Sequence, residues 1–517
     1  MHHLPGVVPL YTALEMRTVD RVTVDEIGVP SAVLMERAGM GAAAEVLQWF
    51  PDARRIAVVC GPGNNGGDGF VAARHLAAAG RVVEVLLVES ESKVRRDGQA
   101  FLDVLTKLDI PVRRVNVTAW RSAFEQTDLI VDAMLGTGVS GEPKPPFEAA
   151  IRAITDTRLP VVSLDIPSGV DASDGTIAGA AIMADLTVTF HAPKIGLAIA
   201  PGRFHAGRVK AIDIGIPAQV EEPLRQGIAT RALLATVPPR RRDGSKYDSR
   251  VLVVGGSLGM AGAVSMTAQA AMRAGAGICW AAVPDRIAEA LDVAVPEVQF
   301  RGQHSDELGR LTVAAAERLE ELAGRAGAVV FGPGIGDSDQ VRALARWAVR
   351  AAPVLVLDAQ GISAFAGDTQ ALAARDGLPT LLTPHEGELA RLLGVTPDAV
   401  RANRLETVRE AARQTQATVL LKGEDTIVCL PGGDFLVCKG HRAQATAGTG
   451  DILAGTAAAL LARGLDPALA GACAALACSL AAERAAVTLH ADGVIATDLL
   501  ERLPAALAGA ALGEEGA

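Results

Sequence analysis

Thr446-Ala447-Gly448-Thr449-Gly450-Asp451 runs directly into the apolar stretch Ile452-Leu453-Ala454-Gly455. Its glycines let backbone amides approach a ligand without hindrance from a Cβ. The apolar stretch reads as a buried helix, which places those amides at an electropositive N-terminus suited to phosphate. Asp451 stands in the same turn, as a helix cap or as a base. The pattern therefore offers an anion cradle beside a proton acceptor, and its plain alternative is a capped helix with a glycine turn. A second polar group occupies Gly61-Pro62-Gly63-Asn64-Asn65-Gly66-Gly67-Asp68-Gly69. Gly61-x-Gly63-x-x-Gly66, with Glu89 after the next strand, formally matches a dinucleotide fingerprint, so a redox Rossmann domain is one reading. The two Asn amides and the Asp68 carboxylate are unusual additions to such a loop. Asp132, Asp165 and Ser168 end other strands. Asn, Asp and Ser oxygens converging on one point would suit a hard or alkali cation, although each alone is also an ordinary loop cap. Lys194 either neutralises a phosphate or is simply solvated.

The elements that must hold these residues alternate strand and helix. From Leu10 to Phe50 the pattern is helical, with Ser31 able to cap a helix carrying Leu34, Met35, Ala38 and Leu47. Arg55–Cys60 reads as a buried parallel strand, followed by the glycine loop, a helix over Phe70–Ala79 and a strand over Val82–Val88. Further strands are expected at 128–132, 160–165, 186–190 and 209–213. A proline- and arginine-rich stretch over 215–248, including Pro238-Pro239 and Arg240-Arg241-Arg242, reads as a linker with its cut near Gly227. A second series then begins, with strands at 251–254, 328–331, 354–358, 380–383 and 419–423, most ending in glycine-rich loops. Two α/β domains in tandem are expected, over 1–220 and 228–507, each an open parallel sheet with ligand at the strands' carboxyl ends.

Composition sets the outer limits. A 517-residue chain that is 50% hydrophobic and 21% charged describes a folded protein of at least two domains. A net charge of −10 and only 3% aromatic residues argue against nucleic acid and anionic membrane as partners. Six scattered cysteines form no C-x-x-C pair and read as buried thiols in a reducing cytoplasm. Cys438-Lys439-Gly440-His441 resembles half a zinc site but lacks its other half. The apolar region from Ala454 to Ala486 is broken by Arg463, Asp466 and Pro467, and each piece reads as too short to span a bilayer. No Walker A sequence is present, which excludes a P-loop enzyme.

Asn64-Asn65-Gly66-Gly67-Asp68-Gly69, Val131-Asp132-Ala133-Met134-Leu135-Gly136-Thr137-Gly138, Asp165-Ile166-Pro167-Ser168-Gly169 and Pro193-Lys194-Ile195-Gly196-Leu197 together resemble the NAD(P)H-hydrate epimerase family, over about residues 10–216. The resemblance implies that Asn64, Asn65, Gly66, Gly67 and Asp68 bind the hydrate with Gly136, Thr137, Gly138, Val139, Ser140 and Gly141. It places Asp165 at the damaged nicotinamide ring and potassium on Asn65, Asp132 and Ser168. The second half, over about 228–503, resembles the ADP/ATP-dependent NAD(P)H-hydrate dehydratases of ribokinase-like fold. Its motifs are Gly256-Ser257-x-Gly259-Met260-Ala261-Gly262-Ala263, Gly332-Pro333-Gly334, Thr383-Pro384-His385-x-Gly387-Glu388 and Thr446-x-Gly448-Thr449-Gly450-Asp451. That resemblance implies the adenine nucleotide on Lys422, Gly423, Glu424, Asp425, Thr426 and Gly450, and the hydrate against Ala263, Gly334, His385 and Asp451. Two positions depart from the pattern: Glu386 stands where proline is expected, and Gln360 where a second aspartate is common.

A nucleotide makes chemical sense for a dehydration. Hydroxide is a poor leaving group, since water's pKa is about 15.7, whereas phosphate has a second pKa near 6. Asp451 would take the hydroxyl proton while glycine amides stabilise the transferring phosphoryl group. Mg²⁺ is implied by phosphoryl transfer, without a carboxylate cluster to hold it. The reading is a cytoplasmic, homo-oligomeric, bifunctional repair enzyme that epimerises NAD(P)H hydrates and dehydrates the S form with ADP. Its rivals are a ribokinase-like small-molecule kinase and a non-catalytic dinucleotide-binding first domain.

Overall fold

The computed structural model describes residues 5–94, 96–138, 140–220, 225–375 and 377–509. The chain divides into two compact units: Pro9 to Leu224 form one, and residues up to Val8 join those from Arg225 onward in the other. Strand β1 (Val7–Pro9) accordingly stands at the edge of the second unit's sheet, against β9 (Gln226–Ala229). The stretch read as a linker thus contains a sheet strand, and the first residues do not belong with the first domain. Packing explains the pairing. A Cβ on Gly227 would lie 2.4 Å from Val7 Cγ1 and 2.8 Å from Val8 O, and Thr230 donates to Gly6 O through both N (2.7 Å) and Oγ1 (2.9 Å).

In the first unit seven strands pair in the order β4-β3-β2-β5-β6-β7-β8, all parallel. They are β2 (Arg55–Cys60), β3 (Val82–Leu87), β4 (Val112–Arg114), β5 (Leu129–Ala133), β6 (Val161–Leu164), β7 (Leu186–Phe190) and β8 (Arg208–Ile212). The order reverses between β2 and β5, the place where open α/β sheets bind ligands. Helices α1 (Ala13–Arg21), α2 (Ser31–Trp49) and α3 (Asn64–Ala78) cover this side. Helix α2 begins at Ser31 with Pro30 as capping residue, so Ser31 caps nothing; its hydroxyl donates to Asp97 Oδ2 at 2.8 Å. Helix α3 starts six residues earlier than expected, inside the glycine motif. Gly66 and Gly69 serve packing there: a Cβ on Gly66 would lie 1.9 Å from Gly61 O, and one on Gly69 would lie 2.6 Å from Ala133 Cβ.

The second unit holds an eleven-stranded sheet in the order β1-β9-β18-β17-β16-β15-β14-β13-β10-β11-β12. Beyond β9 its strands are β10 (Arg250–Val254), β11 (Ile278–Pro284), β12 (Gln299–Gln303), β13 (Ala328–Phe331), β14 (Leu355–Leu357), β15 (Thr380–Leu382), β16 (Thr418–Leu421), β17 (Asp425–Cys429) and β18 (Phe435–Lys439). The run from β10 to β16 is parallel, and β17 pairs antiparallel to both neighbours. Strands β11 and β12 lie beyond those expected. The alanines of β11 read equally well as a helical run. The helix Pro467–Leu489 has 23 residues and is apolar and long enough to cross a bilayer, contrary to the expectation of short pieces. It is a core helix. A Cβ on its Gly471 would lie 3.3–3.5 Å from Leu420, Val428 and Leu381 of the sheet. All six cysteines are buried and free, and among the described residues no cluster of His, Cys, Asp and Glu could hold a metal.

Candidate functional sites

In the first unit a cavity of about 610 Å³ opens at the reversal between β2 and β5. Its wall contains Asn64, Asn65, Asp68, Gly136, Thr137, Gly138, Asp165 and Lys194. Ser140 and Gly141 line a smaller recess with Asp171. Gly66 and Gly67 do not face the cavity, because Gly67 packs on Met35 (2.5 Å from a built Cβ to Sδ) as Gly66 does on Gly61. Val139 lies outside the described residues.

Asp165 follows β6 with φ +65, a backbone strained for a non-glycine residue, which aims its carboxylate out of the sheet. Lys194 is neither solvated nor free for a phosphate. It is 1% exposed, and its Nζ donates to Asp165 Oδ1 (2.5 Å), Thr189 Oγ1 (2.9 Å) and Phe190 O (2.8 Å). Deeper in the unit, the fully buried Asp132 accepts from Ser168 Oγ (2.6 Å), Ser168 N (2.9 Å), Ser163 Oγ (2.9 Å) and Met134 N (3.2 Å). Burial still raises its carboxyl above the ordinary value, because these bonds only partly offset desolvation. Asn65 joins the same cluster by donating to Leu135 O at 3.1 Å, while Ser168 Oγ accepts from Leu135 N at 3.0 Å. Asn65 Oδ1 is buried without a protein partner. Asp68 is held well above the carboxylate range, by burial first and then by Asp165 and Asp20.

The second unit's site also lies at the carboxyl ends of its parallel strands. The helix Thr449–Ala462 starts at Gly448, whose φ of +93 only glycine adopts without strain. Gly448, not Asp451, is the capping residue, so no side chain there occupies the first-turn amides. Asp451 is the helix's third residue. Burial, then the charge of Asp358, push its carboxyl up to about 7, against the pull of Lys422. Lys422 Nζ donates to Asp358 Oδ1 at 2.9 Å and lies 3.8 Å from Glu388 Oε2; a Cβ on Gly450 would sit 3.4 Å from it. Although burial opposes its charge, Asp358, Glu388 and Asp451 together hold the ammonium above its ordinary value. Asp358 is 2% exposed and also accepts from Thr383 Oγ1 at 2.7 Å.

His385 caps the helix Glu386–Leu393: its Nδ1 accepts from Gly387 N at 2.9 Å while Glu388 Oε2 accepts from His385 N at 2.9 Å. The side chain is still more than half exposed at 55%, with its Nε2 3.5 Å from Glu388 Oε1. Gly334 (φ +63) and Ala263 are adjacent, since a Cβ on the glycine would lie 3.0 Å from Ala263 Cβ. The departure at Glu386 has a structural partner. Its carboxylate pairs with Arg404 Nη1 (2.6 Å) and Arg401 Nε (3.0 Å). The buried Arg404 in turn donates through Nη2 to Asp425 O at 3.2 Å and Lys422 O at 3.4 Å, and Gly423 is required beside it because a Cβ would lie 2.4 Å from Nη2. One guanidinium thus supports both ends of the 422–426 turn, where Thr426 Oγ1 donates to Gly423 O at 2.9 Å. The departure at Gln360 follows Ala359, which carries φ +50. Asp20, Asp358 and Arg404 were not among the expected site residues. Asp358 alone has a sequence signal, as the polar end of a strand.

Comparison with known proteins places both halves. A YjeF-related protein N-terminus matches residues 31–196, and an NAD(P)H-hydrate dehydratase domain matches residues 251–505. The bifunctional NAD(P)H-hydrate repair enzyme of Moorella thermoacetica is 36% identical, covering 96% of each chain. That of Pyrobaculum aerophilum is 37% identical over 95% of this chain and 97% of its own, and that of Escherichia coli is 32% identical over 96% and 93%. Among solved structures, the ADP/ATP-dependent NAD(P)H-hydrate dehydratase of Bacillus subtilis, co-crystallised with ATP and Mg²⁺, is 27% identical with a TM-score of 0.47, covering 54% of this chain and 96% of that one. With such likeness across nearly its whole length, the chain belongs to the bifunctional NAD(P)H-hydrate repair enzymes, its epimerase half in the first unit and its dehydratase half in the second.

Proposed function

We propose that the first unit interconverts the R and S epimers of hydrated NAD(P)H, and that the second dehydrates the S epimer in step with hydrolysis of ADP to AMP and phosphate. The observation that carries this reading is Asp451 beside Lys422 at a glycine-opened helix N-terminus. A carboxyl poised at about 7 accepts a hydroxyl proton at neutral pH, while the adjacent ammonium and unoccupied amides suit a phosphoryl group. The nucleotide then lies on Lys422, Gly423, Glu424, Asp425, Thr426 and Gly450, and the hydrate against Ala263, Gly334, His385 and Asp451. Phosphorylation turns the hydroxyl into a leaving group, and the ring nitrogen pushes it out to restore the double bond. Mg²⁺ would neutralise charge on the nucleotide's phosphates.

In the first unit the hydrate occupies the large cavity, with Asp165 at its ring. Asn65, Asp132 and Ser168 fit potassium: an orphaned amide oxygen and a buried, incompletely compensated carboxylate are the donors a weakly hydrated cation needs. The setting is the cytoplasm, as a homo-oligomer.

The test is recovery of NADH absorbance from a racemic NADH hydrate, with ADP or ATP in parallel. Complete recovery with ADP, without accumulation of a phosphorylated product, is expected. Recovery that stops at half would remove the epimerase role. A stable phosphorylated compound would replace the dehydratase by a kinase.

A further inference from the structure

We propose that Asp20 is the proton donor of the epimerase half, protonating the hydroxyl that leaves the damaged ring, with Asp165 accepting the proton of the water that returns. The inference rests on the reading that Asp165 faces that ring.

Asp20 lies in the last turn of α1, and α1 is firmly placed. Thr12 and Glu15 close a capping box (Thr12 N to Glu15 Oε2, 2.7 Å; Glu15 N to Thr12 Oγ1, 3.1 Å). Ala13 N donates to Ser173 Oγ at 3.2 Å. Just ahead of the helix, Tyr11 N donates to Pro193 O at 3.0 Å and Tyr11 O accepts from Ile195 N at 3.0 Å, which locks α1 to the segment bearing Lys194. Buried Met16 and Val19 seat its apolar side.

That anchoring leaves Asp20 on the cavity wall with Asp68, Asp165 and Lys194. Arg17 of its own helix, and Lys93 and Asp97 across the opening, are the other charged groups there. Lys194 is committed to Asp165, and among the described residues no cation pairs with Asp20. Asp20 exposes surface, yet much protein surrounds it. Its exposed edge on the cavity gives it access to a ligand. Burial, then repulsion from Asp165, raise its carboxyl to about 6 against the pull of Lys194. Four carboxyls, those of Asp20, Asp68, Asp97 and Asp165, line one cavity, and among the described residues only that of Asp165 has an ammonium bonded to it. This asymmetry divides an acid from a base.

Water adds to an enamine at the carbon beside nitrogen, so the hydrate is a hemiaminal. Its C–O bond breaks with the electron pair on oxygen, which takes the Asp20 proton and leaves as water, while the nitrogen lone pair forms a C=N bond. Water then adds to the opposite face, the C=N electrons return to nitrogen, and the surplus proton passes to Asp165. One water leaves and one enters. Solvent returns the proton from Asp165 to Asp20, and the reverse reaction exchanges their roles.

The full chain supplies its own control. With racemic NADH hydrate and excess ADP, an early phase reports the dehydratase and a later phase the epimerase, measured above the rate without protein. Asp20→Asn should leave the early phase intact and slow the later one about 100-fold or more. Asp20→Glu should recover most of that loss. In the wild type the later phase should decline as pH rises through about 6, the value for this acid, and Asp20→Asn should lack that limb. A later phase within threefold of wild type in Asp20→Asn would overturn the proposal, as would a slowed variant that keeps the limb. Asp165→Asn, assayed in parallel, tests the underlying reading separately: an unchanged later phase there would remove Asp165 from the ring whatever Asp20 does.

Discussion

Each unit reverses its strand order beside a glycine that touches the next strand's end. A Cβ on Gly61 would lie 2.0 Å from Met134 O, and one on Gly255 would lie 2.2 Å from Pro333 O. On this shared frame the charges differ. In the first unit Lys194 is buried against Asp165, and the cavity presents carboxyls raised above their ordinary range. In the second, Lys422 is likewise bonded to a carboxylate, Asp358, but keeps 21% of its side chain exposed beside a helix N-terminus whose amides suit an anion. Proton transfer alone serves an epimerisation, whereas a dehydration that consumes nucleotide needs a place for phosphate. The same sheet architecture serves both because function resides in the loops after the strands.

The strongest way to break this contrast is Asp451→Asn. The dehydratase should lose about a hundred- to ten-thousandfold in rate with the epimerase untouched, read from hydrate recovery and from epimer exchange by NMR. Asp451 must be deprotonated to act, and its folded-state value is raised. Dehydratase kcat/KM should therefore be low in acid, rise through about pH 7 and level above it. A flat profile from pH 5 to 9 would remove Asp451 as the base.

The glycines sharpen the contrast at a smaller scale. Gly66→Ala forces a Cβ into the Gly61 carbonyl, a backbone atom that cannot move aside cheaply. It should cost about 1–3 kcal/mol and lower the first unit's melting transition by several degrees, at about 2–4 °C per kcal/mol. Gly450→Ala meets only the end of Lys422, so calorimetry should show no change in melting while KM for ADP rises. The smallest effect is expected of Glu386→Gln, which weakens the support of Arg404 for the nucleotide turn. A loss of about 1 kcal/mol should raise KM for ADP roughly fivefold and leave kcat nearly unchanged.

Much of this was legible in the sequence wherever a polar residue ends an apolar strand. Asp132, Asp165 and Lys422 are of that kind, and parallel strands place such ends on one side of the sheet. Asp20 was not legible, because on an amphipathic helix a carboxylate facing a cavity has the same spacing as one facing water. Lys194 misled for a related reason: a lone lysine in a loop gives no sign that a carboxylate 29 residues earlier in the chain lies beneath it. Gly66 and Gly69 read as loop residues although they are helical, since close packing on a strand and freedom of the backbone select the same residue. Strand β9, four residues long with Gly227 inside it, has no alternation to reveal it.

Strand β1 gives the order of synthesis a consequence. Val7 and Val8 emerge from the ribosome before their partner β9, which follows about two hundred residues later. At about 5–20 residues per second, that edge of the sheet waits ten seconds or more for its neighbour, while the whole intervening unit is made and has time to fold. The first unit is thus an insertion within the second. A gene cut between them would separate strand β1 from its sheet.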